Sequence, residues 1–224
     1  MWPVDDNGWL YTILLSAAFI VIFILGELFF HYLKIKTELT RKFVHVSSGL
    51  LTLAFPLLLE NHWQALFLCS SFALLLFISI RYNFLKSINK VGRTTWGSFL
   101  FPASVYICFH SWLYTGSLLY FYAPMLVLAI SDPLAALCGK KWPAGKYTVF
   151  HETKTLTGSA AFFISAFLII LLLMRSFTPD ITFLKLISFS IILSFFSTVA
   201  EALSQKGTDN LSIPLTLLLL LFVL

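Results

Sequence analysis

Apolar residues arrive here in blocks of about twenty, the length of α-helix that crosses roughly 30 Å of hydrocarbon. Eight such blocks stand out, at residues 9–31, 43–59, 63–80, 96–112, 117–137, 156–174, 183–203 and 211–224. The last is short. Turn and breaker residues fall between them: Asn83, Asn89 with Gly92, Gly116, Pro143 with Gly145, Pro179, and Gly207 with Asn210. A transmembrane β-barrel would show alternating ten-residue segments, and none occur. The chain is 59% hydrophobic and 11% charged, with a mean hydropathy of +0.90, whereas soluble domains carry about 25% charged residues. These blocks predict an all-α, polytopic transmembrane bundle of about eight spans, forming one integral-membrane domain over residues 1–224.

The net charge of +5 is unevenly placed. The links after the first, third, fifth and seventh blocks hold Lys34, Lys36, Arg41, Lys42, Arg81, Lys86, Lys90, Arg93, Lys140, Lys141, Lys146, Lys154 and Lys206; the opposite side has only Arg175 and Lys185. Thirteen against two is a positive-inside signal, placing the basic loops in the cytoplasm and both termini outside. Asp5, Asp6, Glu60 and Asp180 fall on the outer side. The first block is long enough to span and has no basic segment before it, so neither a cleavable signal nor a transit peptide is expected. The setting expected is a bacterial inner membrane. Cys69, Cys108 and Cys138 lie in or at the end of apolar blocks and read as small buried hydrophobes. The cations gather on one membrane face, which argues against a nucleic-acid partner.

Ionisable side chains in an apolar block are costly and therefore candidates for function. They are Glu27, His45, Asp132, Glu201 and, just beyond the seventh block, Asp209. Glu27 is one helical turn from His31. At helical spacing Arg41, His45 and Ser48 share a face, with Gly49 beside them admitting a close neighbour. A cation, an imidazole and a hydroxyl on one face suit a phosphate; Arg41 and Lys42 read equally as membrane-side anchors. Asp132 precedes Pro133, which interrupts a helix and can free backbone carbonyls. A carboxylate there suits Mg²⁺ or a structural ion pair. Lys154-Thr155 and Gly158-Ser159 open the next block, where helix N–H groups and dipole favour an anion. Lys140, Lys141 and Lys146 read either as phosphate ligands or as a solvated basic loop. Gly139 and Gly145-Lys146 do not make a P-loop, because five residues separate the glycines and Tyr147 replaces Ser or Thr. Glu201 and Asp209 lie eight residues apart across a glycine-containing turn and can face one cleft, with Asn210 and Asp209 also suited to capping the last helix.

Arg41-Lys42 with His45, Asp132 with Ala135 and Gly139, Lys154-Thr155 with Gly158-Ser159, and Glu201 with Asp209-Asn210 and Pro214 occur in an order that resembles the CTP-dependent lipid-alcohol kinases. That family includes dolichol, phytol, farnesol and CTP-dependent diacylglycerol kinases and is related to phosphatidate cytidylyltransferase. The resemblance covers about residues 40–215. It implies a membrane enzyme that uses CTP and Mg²⁺ to phosphorylate a lipid hydroxyl on the cytoplasmic side. Ser131 departs from the family's usual glycine before the aspartate, and Lys140-Lys141 from its commoner Gly-Arg, which loses bidentate arginine geometry.

Phosphoryl transfer needs positioning and charge neutralisation above all. The residues permit Asp132, with Glu201 or Asp209, to hold Mg²⁺. Lys154, Arg41 and Lys42 would neutralise phosphate oxygens, joined by Lys140 beside Gly139, and Thr155, Gly158, Ser159 and Asn210 would complete the nucleotide site. His45 or a carboxylate would take the hydroxyl proton. Two rivals stand beside the kinase: a cytidylyltransferase attacking the α-phosphate of CTP, and a transporter of an anionic solute. The short chain and the form Arg-Lys-x-x-His favour the kinase. A transporter would carry buried charge into the outer half, where these blocks have essentially none.

Overall fold

A computed structural model describes residues 8–82, 84–89, 96–150 and 152–224. Asp5, Asp6, Asn83, Lys90, Gly92 and Arg93 lie outside the described residues. A helix covers each of the eight predicted blocks. Five helical stretches are long and apolar enough to cross a membrane: Trp9–His31, His62–Tyr82, Leu119–Lys141, Leu156–Phe177 and Phe183–Leu203. The other three blocks are helical but interrupted, more polar or shorter.

The first block forms α1 (Gly8–His31). The second was expected as one span over 43–59 but divides into α2 (Thr37–Thr52) and the single turn α3 (Phe55–Leu58). Pro56 explains the break, since it has no N–H for the carbonyl of Thr52 and its ring would crowd that carbonyl. Because α2 starts six residues earlier than the block, Arg41 and Lys42 are helical rather than part of a link. Its buried face runs Thr40, Val44, Ser48 and Thr52, a spacing of four that faces the bundle.

The next elements are α4 (His62–Tyr82), the short α5 (Lys86–Asn89) and α6 (Gly97–Thr115). Glu27 and Thr40 fix α5 from two sides: the Ser87 N–H donates to Glu27 Oε1 (2.7 Å), and Thr40 Oγ1 donates to the Ser87 carbonyl (2.8 Å). Glu27 also pairs with His31 at 3.1 Å. This membrane-embedded carboxylate is thus spent on architecture. Helix α6 ends on Gly116 at φ +71°, the left-handed position that favours glycine.

The fifth block is one rod in three parts: α7 (Leu119–Leu126), a π-helical turn (Val127–Ser131) and α8 (Asp132–Lys141). Pro133 returns no N–H to the preceding turn, and the backbone widens there. Residues 146–155, read from sequence as loop, form an antiparallel hairpin of β1 (Lys146–Val149) and β2 (Glu152–Thr155), with Tyr147 opposite Lys154. Helices α9 (Leu156–Phe177), α10 (Phe183–Leu203) and α11 (Asp209–Val223) complete the chain.

Phe55, Leu68, Phe109, Phe121, Met125 and Phe162 are buried at the centre. Ile13, Leu172, Leu184 and Leu219 are all more than 60% exposed around the outside, the coat that a lipid-facing surface presents. Between apolar helices in lipid, packing rather than water exclusion holds the contact, so small residues let backbones approach. A Cβ on Gly49 would stand 2.5 Å from that of Ala129, and one on Gly139 would stand 2.6 Å from Thr155 Oγ1. These contacts draw α2 against the π turn and α8 against α9.

Candidate active site

Polar residues of four elements meet at one mouth of the bundle. Arg41, Lys42, His45 and Ser48 come from α2, Asp132 from the start of α8, Glu152 from β2, and Gly207, Asp209 and Asn210 from the turn into α11; all line one cavity. The spacing argument for Arg41, His45 and Ser48 therefore holds in three dimensions. The 207 turn is held in place by backbone: the Trp96 N–H donates to the Lys206 carbonyl (2.8 Å), Asn210 Nδ2 to the Gly97 carbonyl (3.0 Å), and the Lys206 N–H to Glu152 Oε1 (3.0 Å). Asn210 thus ties α11 to α6 instead of capping its own helix.

His45 reaches across to the widened turn. Its Nε2 lies 3.3 Å from the Leu128 carbonyl and 4.0 Å from Asp132 Oδ2. The carbonyl needs an outside partner because Pro133 cannot supply one from within the helix. With Nε2–H donating, Nδ1 keeps its lone pair. The proline expected to free a carbonyl does so, and that carbonyl positions His45.

Lys154 faces inward from β2. Its Nζ donates to Glu201 Oε1 (2.5 Å) and to the Glu201 carbonyl (3.0 Å) at the end of α10. Glu201 is 5% exposed, so this is a buried pair. Burial alone would lower the Lys154 pKa, but Glu201, with Asp209 and Asp132 behind it, more than offsets this and holds it above its ordinary value. Burial draws Lys42 below its ordinary value, with Asp132 pulling the other way. Asp132 and Asp209 share the cavity and stand within electrostatic range of each other and of both lysines.

The remaining expected ligands are turned elsewhere. Thr155 caps α9 by accepting from the Gly158 N–H (3.1 Å), and Ser159 Oγ is 2.6 Å from Tyr147 OH, clipping the hairpin to α9. The donors expected at this helix start are thus paired within the protein. A Cβ on Gly158 would stand 2.9 Å from the Ala135 carbonyl, so Gly139 and Gly158 serve the α8–α9 contact. Lys140 pairs with Glu38 at the surface, and its hydrogen bond holds the Glu38 carboxyl below its usual pKa. Among the described residues no three His, Cys, Asp or Glu side chains form a cluster that could hold a metal. Three carboxylates line the cavity, of which Glu152 accepts from the Lys206 N–H, leaving Asp132 and Asp209 for a ligand, while Glu201 faces Lys154. Glu152 was missed in the sequence; its signal was a carboxylate two residues before Lys154.

Inward of this polar mouth the same cavity continues between Phe19, Phe55, Leu68, Phe72 and Val105. Its lining suits an amphiphile, with charge at the mouth and apolar side chains inside.

Over 178 residues the chain is 29% identical to a phytol kinase of Synechocystis sp., an alignment covering 80% of this chain and 76% of that protein. The chain is thus similar to phytol kinases. A probable chloroplastic phytol kinase of Zea mays is 26% identical over 241 aligned positions, covering 98% of this chain and 77% of the other. No family model and no solved structure matches. Arg41, Lys42, His45, Asp132, Asp209 and Asn210, quoted above for the resemblance, all line one cavity.

Proposed function

We propose that the protein is a phosphotransferase that moves the γ-phosphoryl group of CTP to the hydroxyl of an isoprenoid or similar lipid alcohol at the cytoplasmic face of the membrane. The cavity carries this reading, since charged groups at its mouth lead directly into an apolar interior. The relationship to phytol kinases supports the alcohol acceptor; the choice of CTP rests on the family resemblance.

Asp132 and Asp209 would hold Mg²⁺, whose charge would offset that of the triphosphate. They fit because two like charges in one cavity repel unless a cation joins them. Two carboxylates with substrate phosphates are also the usual Mg²⁺ donor set. Arg41 and Lys42 would contact phosphate oxygens, and Lys154, paired with Glu201, stands within electrostatic range of Asp132 and Asp209. The acceptor oxygen attacks the γ-phosphorus, the bond from that phosphorus to the β-phosphate oxygen breaks, and CDP leaves. The hydroxyl proton goes to one base, either His45 at its free Nδ1 or the Asp132 carboxylate, whose side chains lie 4.0 Å apart.

Purified protein incubated with Mg²⁺, a lipid alcohol and CTP labelled at the γ-phosphate is expected to yield a labelled lipid phosphate. ATP, GTP and UTP in place of CTP test the nucleotide. A CDP-lipid with labelled pyrophosphate, formed from a lipid phosphate acceptor, would overturn the reading in favour of a cytidylyltransferase.

A further inference from the structure

The inner limb of the cavity has a floor. From Lys42 to Thr52 the α2 lining passes from cation to imidazole to hydroxyl to the last polar side chain, a rise of about 15 Å. Beyond Thr52 stands Phe55, 1% exposed. Its ring lies edge-on to Phe19 at 6.1 Å on the cavity wall and to Phe109 at 6.4 Å in the packed core. Phe55 is therefore the partition between the limb and the solid interior of the bundle. At the neck, where polar lining gives way to apolar, Ser48 Oγ is buried without a hydrogen-bond partner. A buried hydroxyl left unpaired is costly, so one facing a cavity suits a ligand's hydroxyl.

We infer that the limb holds the hydrocarbon tail of the acceptor, with its hydroxyl at Ser48 and its far end against Phe55, so that Phe55 sets the longest tail the protein accepts. This rests on the kinase reading and adds the residue that measures the substrate. The occupant is the acceptor's tail because one cavity is lined by charge at the mouth and by apolar side chains in the limb, and a molecule filling both must carry a polar head on an apolar chain.

The test is a profile of initial rate against tail length, using a series of primary alcohols with saturating CTP and Mg²⁺. Wild type is expected to show a cut-off, with the first over-length alcohol slower by at least about tenfold. Phe55→Leu, which keeps most of the core volume, moves the cut-off to longer tails, and Phe55→Ala moves it further. Cys69→Phe, which places a ring in the limb wall, moves it to shorter tails. In each variant the KM for CTP stays within about twofold of wild type, and Ser48→Ala raises the KM for alcohol alone. If wild type phosphorylates alcohols but the folded Phe55→Leu and Cys69→Phe proteins keep its cut-off, the assignment of the limb is wrong and the kinase reading survives. If wild type phosphorylates no alcohol of any length, both fail.

Discussion

At the scale of single residues, charge is either paired for structure or held for a ligand. Lys154 and Glu201 are each other's partner, and the pKa of Lys154 is raised by that carboxylate against the pull of burial. A raised lysine contributes stability that is complete below its unfolded pKa of about 10.4 and lost as pH climbs through the folded value. The gap in Tm between wild type and Lys154→Met should thus stay level from about pH 7 to 9 and close only above about pH 10.4, as thermal unfolding in detergent would report. Asp132 and Asp209 are the opposite case, two like charges kept together. Asp209→Asn should lower kcat by about 100-fold or more while leaving the metal-free Tm equal or higher, because it removes both a ligand and a repulsion. A loss of Tm matching the loss of rate would show that Asp209 is structural. His45 and Asp132 could be picked out in the sequence because ionisable residues in apolar blocks are few, and Arg41 and Asp209 because they stand beside such blocks. The partners of Lys140, Ser159 and Glu201 could not, because they depend on how α2, the hairpin and α10 are turned toward each other.

At the scale of elements, the helices were readable from apolar runs and the breaks from proline. The exceptions have local causes. Pro56 divides the second block, and the hairpin at 146–155 is too short and polar to show a period. Two glycines beside the hairpin serve the turn and the packing. At φ +62°, Gly145 turns the chain into β1, and Gly158 brings α9 onto the backbone of α8. Gly158→Ala would push a methyl group toward the Ala135 carbonyl at 2.9 Å, an atom that cannot rotate away. It should cost about 1–3 kcal/mol in unfolding experiments. Thr155→Val, which removes the acceptor for the Gly158 N–H, should cost about 1 kcal/mol. An unchanged unfolding midpoint in Gly158→Ala would mean that α8 and α9 are not in this contact.

At the scale of the whole molecule, the distribution of Lys and Arg predicts which face of the bundle meets the cytoplasm, and the cavity mouth lies on that face. In a Cys138→Ser background, Lys141→Cys should resist a membrane-impermeant maleimide in intact cells and react after permeabilisation, while Asn61→Cys should react in both. The reverse pattern would put the cavity mouth outside, away from cellular nucleotide. The two remaining native cysteines are buried and should not interfere.

The central claim is that one cavity joins a phosphate site to a lipid-alcohol site, with Asp132 at the junction. It is tested most directly by the rate of γ-phosphoryl transfer from CTP to the best acceptor of the primary-alcohol series by purified protein in lipid, compared with Asp132→Asn. The account predicts transfer by wild type and a loss of about 100-fold or more in the folded variant. Transfer that persists in Asp132→Asn, or a wild-type protein that transfers no phosphoryl group to the alcohol, would contradict it.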